Sequence, residues 1–402
     1  MKGQRLKERW SNFPNKGPLL VLSCGHATVD SYAAFLAPLW PLLMVRFDLS
    51  LAAVGVLISV VGLSGAAAQP LYGFIADRSH RRTFLIWGPV LAAVFTCLIG
   101  WAPTCVAFVA CLIMAHVGIN AYHPQAAATV SRIGGARRGL AMGLFMNSGA
   151  VGFALGPLIA PWFVTRYGLE QILYLMIPGL AMALLLARFA PRLPKPADDT
   201  AGRVHLLETL RRSGPILGVL FVIAALRASV NIGFTNFLPM LFHEKGMSLS
   251  HGGMLLAVFL LPGAIGGMIG GVMSDHVDRR KLLTYTMIAS TPLFFWILSA
   301  TGTGWLPVVL FFANFLFMSS LPANLVMAQE VALGNVSMAS SLIMGIAWAT
   351  GTLMASGIAF LADRIGITGA LQVLAFVPAA AGVLAFLFLR GHQAEVEQGR
   401  GV

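Results

Sequence analysis

The chain has 402 residues, of which only 10% are charged while 57% are apolar. Ordinary globular domains contain about 25% charged residues, so this chain has too few to cover a water-facing surface. The composition excludes a soluble globular protein and predicts an integral membrane protein. The net charge of +12 is explained by membrane topology and anionic lipid headgroups, and it does not indicate a nucleic-acid partner.

Twelve apolar runs follow one another along the chain, each near the roughly 20 residues that a helix needs to cross a bilayer. The runs are continuous rather than alternating, which predicts helices and not transmembrane strands. We number them spans 1 to 12, with predicted ranges 19–44, 51–75, 83–102, 104–130, 139–165, 169–189, 214–242, 249–273, 282–302, 305–329, 336–362 and 368–389. The predicted fold is an all-α membrane bundle with short loops and no large soluble domain.

Basic residues concentrate on one side of the predicted bundle. With twelve spans both termini share that side, and 22 of the 27 lysines and arginines then fall there. The opposite loops hold only Arg46, Arg166, Lys245 and Arg364. Because cytoplasmic loops carry the excess of basic residues, we predict a multi-pass protein of the bacterial inner membrane with cytoplasmic termini. The first apolar run is too long for a signal-peptide core, so we expect span 1 to be retained.

The two halves of the chain repeat one pattern. GFIADRSHRR at 73–82 follows span 2, and GVMSDHVDRR at 271–280 follows span 8. HATVD at 26–30 in span 1 likewise aligns with RASVN at 227–231 in span 7. Such internal repeats are typical of secondary transporters. The predicted organisation is an N-terminal six-helix half (1–189), a cytoplasmic linker (190–212) and a C-terminal six-helix half (213–402).

The repeated loops resemble the signature of the major facilitator superfamily, G-x-x-x-D-(R)-x-x-x-R-R between spans 2 and 3, echoed between spans 8 and 9. The resemblance implies two pseudo-symmetric halves around a central cavity. The aspartate can cap a helix end and meet basic residues in a charge latch that one conformation forms and another breaks. The predicted gating residues are Gly73, Asp77, Arg78, Arg81 and Arg82 in the first copy and Gly271, Asp275, Arg279 and Arg280 in the second.

Small residues mark two helices for close packing. Gly263, Gly267 and Gly271 recur every four residues on span 8, with Gly266 and Gly270 beside them. In span 5, Gly152-x-x-x-Gly156-Pro157 resembles the glycine–proline motif of superfamily antiporters. Small residues allow backbones to approach closely in lipid, so we predict helix packing at both places.

Few ionisable residues lie inside the spans, where a charge costs about 3 kcal/mol or more and so needs a partner or a function. His26 and Asp30 are four residues apart on span 1 and stack one turn above the other. A partly desolvated carboxyl can load and unload protons near neutral pH, and histidines can relay them. We predict that Asp30, His26 and His123 couple transport to protons, although a fixed ion pair of Asp30 with Arg227 is an alternative.

In the superfamily fold that the chain resembles, spans 1, 4, 7 and 10 line the central cavity, and the polar stripes fall on those spans. His116, Asn120 and His123 follow one helical face of span 4. The planar guanidinium of Arg227 suits a phosphonate, phosphate or carboxylate. The predicted substrate-cavity residues are His116, Asn120, His123, Arg227, Asn231, Asn314 and Asn324.

Several stretches resemble the fosmidomycin-resistance type of bacterial efflux transporter. They are SCGHATVD (23–30), AYHPQAAATVSRIGGARRGLAMGLF (121–145), the GPL of span 5, AQE (328–330) and GIAFLADRIG (357–366). The resemblance implies proton-coupled export of small, often anionic or amphiphilic compounds, by a monomer. One position departs from the pattern, because Gln125 stands where relatives carry an acidic residue after His-Pro.

Rival functions remain open at this point. A divalent metal cargo would find acceptable ligand types in His26, Asp30, His116 and His123, although Arg227 in the same cavity would repel a cation. Uptake of an organic anion by proton symport would use the same fold. We find no G-x-S-x-G, H-E-x-x-H or Walker motif. We therefore expect no enzyme, no cofactor and no resident metal, and transport driven by an ion gradient.

Overall fold

The computed structural model describes residues 15–78, 82–192, 206–300, 304–332 and 339–389, without the side chains at 66–71, 73–78, 136, 206–213 and 341. Every regular element in this described part is helical, as the sequence predicts. The elements are Lys16–Ala34 and Leu36–Phe47 (span 1), Leu51–Arg78 (span 2), Thr83–Leu98 with Ile99–Trp101 (span 3), Cys105–Gly134 (span 4), Arg138–Tyr167 (span 5), Glu170–Leu175 with Met176–Phe189 (span 6), Leu206–Glu244 (span 7), Leu249–Ser274 (span 8), Arg279–Ala300 (span 9), Leu306–Val331 (span 10), Ser341–Ile346 with Ala347–Ala375 (span 11 and the start of span 12) and Val377–Phe388 (the rest of span 12).

Among the described residues, 10 helices are long and apolar enough to cross a membrane, and Leu51–Gly65 is a shorter apolar helix. One of the 10 is Leu342–Phe388, in which Gly366 has a non-helical backbone (φ 80°). This break falls between the predicted spans 11 and 12. The helices are therefore consistent with the predicted twelve spans.

Span 1 is broken at Phe35, between Lys16–Ala34 and Leu36–Phe47. Pro38 has no backbone N–H and cannot donate to the carbonyl four residues earlier, so the helical hydrogen-bond ladder is interrupted at this turn. The break divides span 1 into a first segment, which carries His26 and Asp30, and a second segment.

The chain forms two compact units, one of residues 1–36 and 67–197 and the other of residues 37–66 and 198–402. Each unit contains one of the two repeated sequence patterns. The second segment of span 1 and the first half of span 2 belong to the second unit. The predicted division into halves at 190–212 stays a prediction, and its residues 193–205 lie outside the described part of the chain.

In the first unit, span 5 packs closely against span 1. A Cβ on Gly152 would run into the backbone of Ala27, and one on Gly156 would meet the carbonyl oxygen of Ser31. Pro157, next to Gly156, is buried in the same stretch. The absence of side chains on this face of span 5 lets the two backbones approach, as expected for small residues in a membrane helix.

In the second unit, the glycines of span 8 pack against span 10. A Cβ on Gly266 would meet the carbonyl of Phe315, and one on Gly270 would meet the carbonyl of Ser319. At Gly263 the nearest atom would be the Asn314 side-chain nitrogen, at 2.5 Å. At Gly267 a Cβ would lie 3.9 Å from Met318, which is ordinary contact. The close approach therefore runs along Gly263, Gly266 and Gly270 rather than through Gly267.

Candidate functional site

A cluster of three ionisable side chains lies inside the first unit, with Asp30 at its centre. His123 of span 4 places Nε2 2.9 Å from Asp30 Oδ1. His26 places Nε2 3.3 Å from Asp30 Oδ2, because residues four apart on a helix share a face. The structure thus brings together the three residues for which we predicted proton coupling, and each imidazole uses a different oxygen of one carboxylate.

The second nitrogen of each imidazole is held by a backbone carbonyl. His26 Nδ1 lies 2.7 Å from the carbonyl oxygen of Phe145, and His123 Nδ1 lies 2.6 Å from that of Ile119. A carbonyl only accepts hydrogen bonds, so both Nδ1 atoms must carry a proton. Each ring is thereby fixed with Nε2 directed at Asp30.

Span 5 forms the wall behind this cluster. The Phe145 ring stacks on His26 with the ring centroids 4.1 Å apart. A Cβ on Gly149 would lie 2.5 Å from His26 Nε2 and 2.6 Å from Asp30 Oδ2. Gly149 therefore leaves the space in which the His26–Asp30 pair sits, and sequence reasoning missed both it and Phe145.

Tyr122, adjacent to His123, fixes span 4 against span 1. Its hydroxyl donates a hydrogen bond of 2.7 Å to the carbonyl of Leu22, and Gly25 and Gly88 leave room for its side chain. Tyr122 is fully buried. This contact holds the backbone of His123 at the level of Asp30.

His116 and Asn120 share a face with His123 but bond within their own helix. His116 Nδ1 lies 3.0 Å from the carbonyl oxygen of Leu112, and Asn120 Nδ2 donates to the carbonyl of His116 at 2.8 Å. The ion pairs of Asp30 with histidine involve His26 and His123. The role of His116 and Asn120 in a substrate cavity stays a prediction.

Gln125, which follows His123-Pro124, makes a hydrogen bond to the start of span 3. Its Oε1 accepts a hydrogen bond of 2.9 Å from the backbone N–H of Leu85, in the first turn of span 3. Helix termini leave such N–H groups without intrahelical partners. Gln125 therefore caps span 3, where an acidic residue could form the same contact.

Arg227 is buried in span 7, with 3% of its surface exposed, and Asn231 is buried one turn further on. Within the described part of the chain, Nε and Nη1 of Arg227 have no hydrogen-bond partner. A buried guanidinium with unsatisfied donors is costly. Such a group is suited to bind an anionic ligand.

The two asparagines of span 10 connect helices of the second unit. Asn314 donates to the carbonyl of Phe259 in span 8 at 2.8 Å, and Asn324 donates to the carbonyl of Leu220 in span 7 at 3.3 Å. Both are buried, and the side-chain oxygen of each has no hydrogen-bond partner among the described residues. Their predicted place in a substrate cavity is untested.

The signature loops are described in part. At Gly73, Asp77 and Arg78 only the backbone is described, and Arg81 lies outside the described residues. In the second loop Asp275 is exposed and ends span 8. The N-terminus of span 9 is instead capped by Asp278, whose Oδ1 accepts from the N–H of Lys281 at 3.0 Å. The gating role of these loops stays a prediction.

The second arginine of each loop binds the end of the last helix in its unit. Arg82 Nη1 donates to the carbonyl of Ala190, after span 6, at 2.5 Å. Arg280 Nη2 donates to the carbonyl of Phe386, near the end of span 12, at 2.6 Å. Partial burial lowers the pKa of the Arg82 guanidinium, and the charge of Arg192 lowers it further. Both arginines thus place positive charge where a helix C-terminus is negative.

Arg279, beside Arg280, pairs with an acidic residue. Its Nη1 lies 2.8 Å from both carboxylate oxygens of Glu330, at the C-terminal end of span 10. Gly271, the remaining predicted gating residue, would place a Cβ 3.8 Å from Pro322. The second loop is therefore tied to span 10 and to span 12.

The cluster in the first unit can hold protons between its nitrogen and oxygen atoms. His26, Asp30 and His123 also present one ligand atom each within 4.8 Å of one another. This spacing is compatible with a divalent cation as cargo. The contacts of His26 and His123 with Asp30 are by themselves a sufficient reason for the three side chains to lie together, so their spacing does not require an ion.

The long apolar helices define a multi-pass integral membrane protein. Residues 22–352 match the Major Facilitator Superfamily, which is more than half of the chain. The chain belongs to this superfamily, and it is a membrane transporter rather than an enzyme.

Two relatives are similar to this chain over 92% of its length. The chain is 25% identical over 379 residues to the fosmidomycin resistance protein of Escherichia coli (strain K12), with 92% of each chain covered. It is 24% identical over 380 residues to the uncharacterized MFS-type transporter YfnC of Bacillus subtilis (strain 168), again with 92% of each chain covered. The resemblance to the fosmidomycin-resistance type is therefore confirmed at low identity.

Solved structures support the fold. A bacterial homolog of the human lysosomal transporter Spinster, inward-facing and occupied, has a TM-score of 0.75 at 17% identity, covering 92% of this chain and 96% of that one. The human organic anion transporter MFSD10 has a TM-score of 0.66 at 16% identity, covering 92% and 99%. At these identities the likeness concerns the architecture alone.

Proposed function

We propose that the chain is a proton-coupled antiporter that exports small drugs or organic anions by alternating access. In this proposal it works as a monomer in the bacterial inner membrane, with both termini in the cytoplasm. Protons enter the cell as the compound leaves, and Asp30 with its two histidines is the exchange site.

The observation that carries the proposal is the His26–Asp30–His123 cluster. It joins two spans of the first unit through a carboxylate that contacts both Nε2 atoms, at 2.9 and 3.3 Å. Intramembrane ionisable groups that pair with one another mark substrate or ion pathways and proton relays. A change in proton number at this cluster changes the contact between span 1 and span 4, which couples protonation to helix movement.

Arg227 supports the inclusion of anions among the substrates. Its Nε and Nη1 are buried without a partner in the described residues, and a phosphonate or carboxylate would satisfy both donors at once. The similarity to a fosmidomycin resistance protein favours a compound of that kind as the first to be tested.

The test uses everted membrane vesicles with an acid interior, monitored by a pH-sensitive dye. Fosmidomycin, other phosphonates, cationic drugs and divalent metals are added in turn to vesicles with wild type, Asp30→Asn or Glu244→Gln. Glu244→Gln is the matched control, because it also neutralises a carboxylate but at an exposed position at the end of span 7.

We expect a compound to discharge the gradient with wild type and Glu244→Gln but not with Asp30→Asn. Equal discharge by Asp30→Asn would refute proton exchange at this cluster. Discharge by a metal alone would replace the organic cargo with a cation. A symporter would leave the gradient intact when the compound is added outside everted vesicles. In right-side-out vesicles, the same compound added outside would enter together with protons and acidify the vesicle interior.

A further inference from the structure

The three side chains of the cluster around Asp30 hold metal-ligand atoms close to one another. The Nε2 atoms of His123 and His26 lie 2.9 and 3.3 Å from the two carboxylate oxygens of Asp30, and one ligand atom of each residue lies within 4.8 Å of the others. Neighbouring ligands of a tetrahedral zinc ion, bound at about 2.0–2.1 Å, are about 3.3 Å apart. The separations from Asp30 therefore already suit a shared ion, and a small approach of the two rings would complete the site.

The hydrogen bonds behind the two imidazoles are those of metal-binding histidines. His26 Nδ1 bonds the carbonyl of Phe145, and His123 Nδ1 bonds that of Ile119. A histidine that binds a metal almost always donates its other ring N–H to a carbonyl, a carboxylate or water, which fixes the tautomer and the orientation of the ring. With the proton on Nδ1, the lone pair of the neutral ring lies on Nε2. Both rings are therefore already oriented to bind an ion next to Asp30.

The cluster is closed on one side and open on the other. The Phe145 ring stacks on His26 with the centroids 4.1 Å apart, and Gly149 packs against the His26–Asp30 pair. The His26 side chain is 4% exposed, whereas that of His123 is 29% exposed. An ion would thus enter past His123, where a water molecule can take the fourth position beside three protein ligands, as in open zinc sites.

We propose that the His26–Asp30–His123 cluster binds Zn²⁺ and that the bound ion inhibits transport. Two imidazoles and one carboxylate suit Zn²⁺, whereas Mg²⁺ and Ca²⁺ prefer oxygen ligands. The binding depends on the ligand geometry alone. The inhibition rests on the proposed function, because the ion occupies the same three side chains that exchange protons there.

A bound ion also ties two helices together. His26 and Asp30 belong to span 1 and His123 belongs to span 4, so the ion bridges the two spans through coordinate bonds. The hydrogen bond of 2.7 Å from Tyr122 to the carbonyl of Leu22 joins the same spans at this level. Span 4 cannot move away from span 1 while the ion is bound. Because the wall of span 5 leaves the ion the same way out as in, the ion acts as an inhibitor and not as cargo.

The first test measures zinc binding without transport. Purified full-length protein in lipid discs, free of any histidine tag, is dialysed against Zn²⁺ alone, and the bound metal is counted by atomic absorption. The variants are His26→Gln, His123→Gln and Asp30→Asn. His243→Gln is the matched control, because it removes an exposed histidine at the end of span 7.

We expect wild type and His243→Gln to bind one ion per chain at the same affinity. Each cluster variant should bind about 100-fold more weakly or worse, since loss of an outer hydrogen-bond partner alone typically lowers metal affinity 10- to 100-fold. If His26→Gln does not accumulate, His123→Gln at the more exposed position carries the comparison. No binding by wild type, or wild-type binding by His123→Gln and Asp30→Asn, would overturn the inference.

The second test measures inhibition in the everted vesicles. Zn²⁺ is added to wild type together with the compound that discharges the gradient, followed by a membrane-impermeant chelator on the same side. We expect zinc to stop the discharge and the chelator to restore it, with His243→Gln behaving like wild type. Undiminished discharge with the site saturated would overturn the inhibition, and discharge by Zn²⁺ itself would make the ion cargo.

Failure of this inference is distinguishable from failure of the proposed function. If zinc binds at the cluster but no organic compound discharges the gradient through Asp30, the proposed function fails while the zinc site stands. If a compound discharges the gradient through Asp30 but zinc does not bind at the cluster, the inference fails and the proposed function stands.

Discussion

Gly149 stands where a side chain would fill the space beside the His26–Asp30 pair. The Cβ of an alanine would lie 2.5 Å from His26 Nε2, so the pair must shift, at about 1–3 kcal/mol for overpacking. We expect Gly149→Ala to lower proton exchange in vesicles by about tenfold or more. Gly143→Ala on the same span is the control, since its Cβ would meet nothing within 4 Å. Wild-type exchange by Gly149→Ala would show that the geometry of the pair is dispensable.

Gln125 is a second residue whose role the structure makes specific. Its Oε1 caps the N-terminus of span 3 through the N–H of Leu85, and loss of a helix N-cap typically costs about 1 kcal/mol. We expect Gln125→Leu to lower the thermal stability of the purified protein, while Gln125→Glu retains the cap, because a carboxylate is favourable at a helix N-terminus. Both should exchange protons normally. A change in the pH profile of transport without a change in stability would instead assign Gln125 to the transport pathway.

At the scale of helices, the signature loops anchor the last span of each unit. Arg280 donates to the carbonyl of Phe386 at 2.6 Å, and its guanidinium lies 5.0 Å from the centre of the Phe386 ring. Because a cation near a helix C-terminus contributes about 0.3–1 kcal/mol, Arg280→Gln should destabilise the protein measurably. The control is Lys281→Gln, which removes an exposed cation from the same turn. Equal thermal unfolding of the two variants would contradict an anchoring role.

The same helices show what a single sequence can predict. Apolar length gave the spans, and the four-residue step of His26 and Asp30 gave their shared face. The contact of His123 with Asp30 depends on how span 4 lies against span 1, and hydrophobic periodicity carries no information on that distance. Gly149 was likewise missed, because a glycine in a membrane helix has no sequence signal that says which side chains it faces. The glycine stripe on span 8 was predicted on a four-residue step, whereas the contacts follow Gly263, Gly266 and Gly270, since the real crossing uses both three- and four-residue steps.

At the scale of the whole molecule, one helix takes part in both compact units. Leu51–Arg78 belongs to the second unit up to residue 66 and to the first unit beyond it. Its first half packs on span 11, where Ser59 Oγ donates to the carbonyl of Thr352 at 2.5 Å and lies 2.5 Å from Ser356 Oγ. Asp363 Oδ2 accepts from the N–H of Ala52 at 3.0 Å. We call this contact, of Ala52 and Ser59 with Thr352, Ser356 and Asp363, the seam between spans 2 and 11. By the predicted topology it lies toward the outer face of the membrane.

If the two predicted sequence halves, 1–189 and 213–402, move apart as the proposed alternating access requires, this seam opens during each cycle. We therefore expect a disulfide across it to stop transport. In a background whose native cysteines Cys24, Cys97, Cys105 and Cys111 are replaced, Ser59→Cys with Ser356→Cys should transport when reduced, lose transport on oxidation and regain it with a reductant. The two single cysteine variants, oxidised in the same way, control for damage unrelated to the cross-link. Undiminished transport by the cross-linked protein would mean that this seam stays closed throughout the cycle and that the outer pathway opens elsewhere.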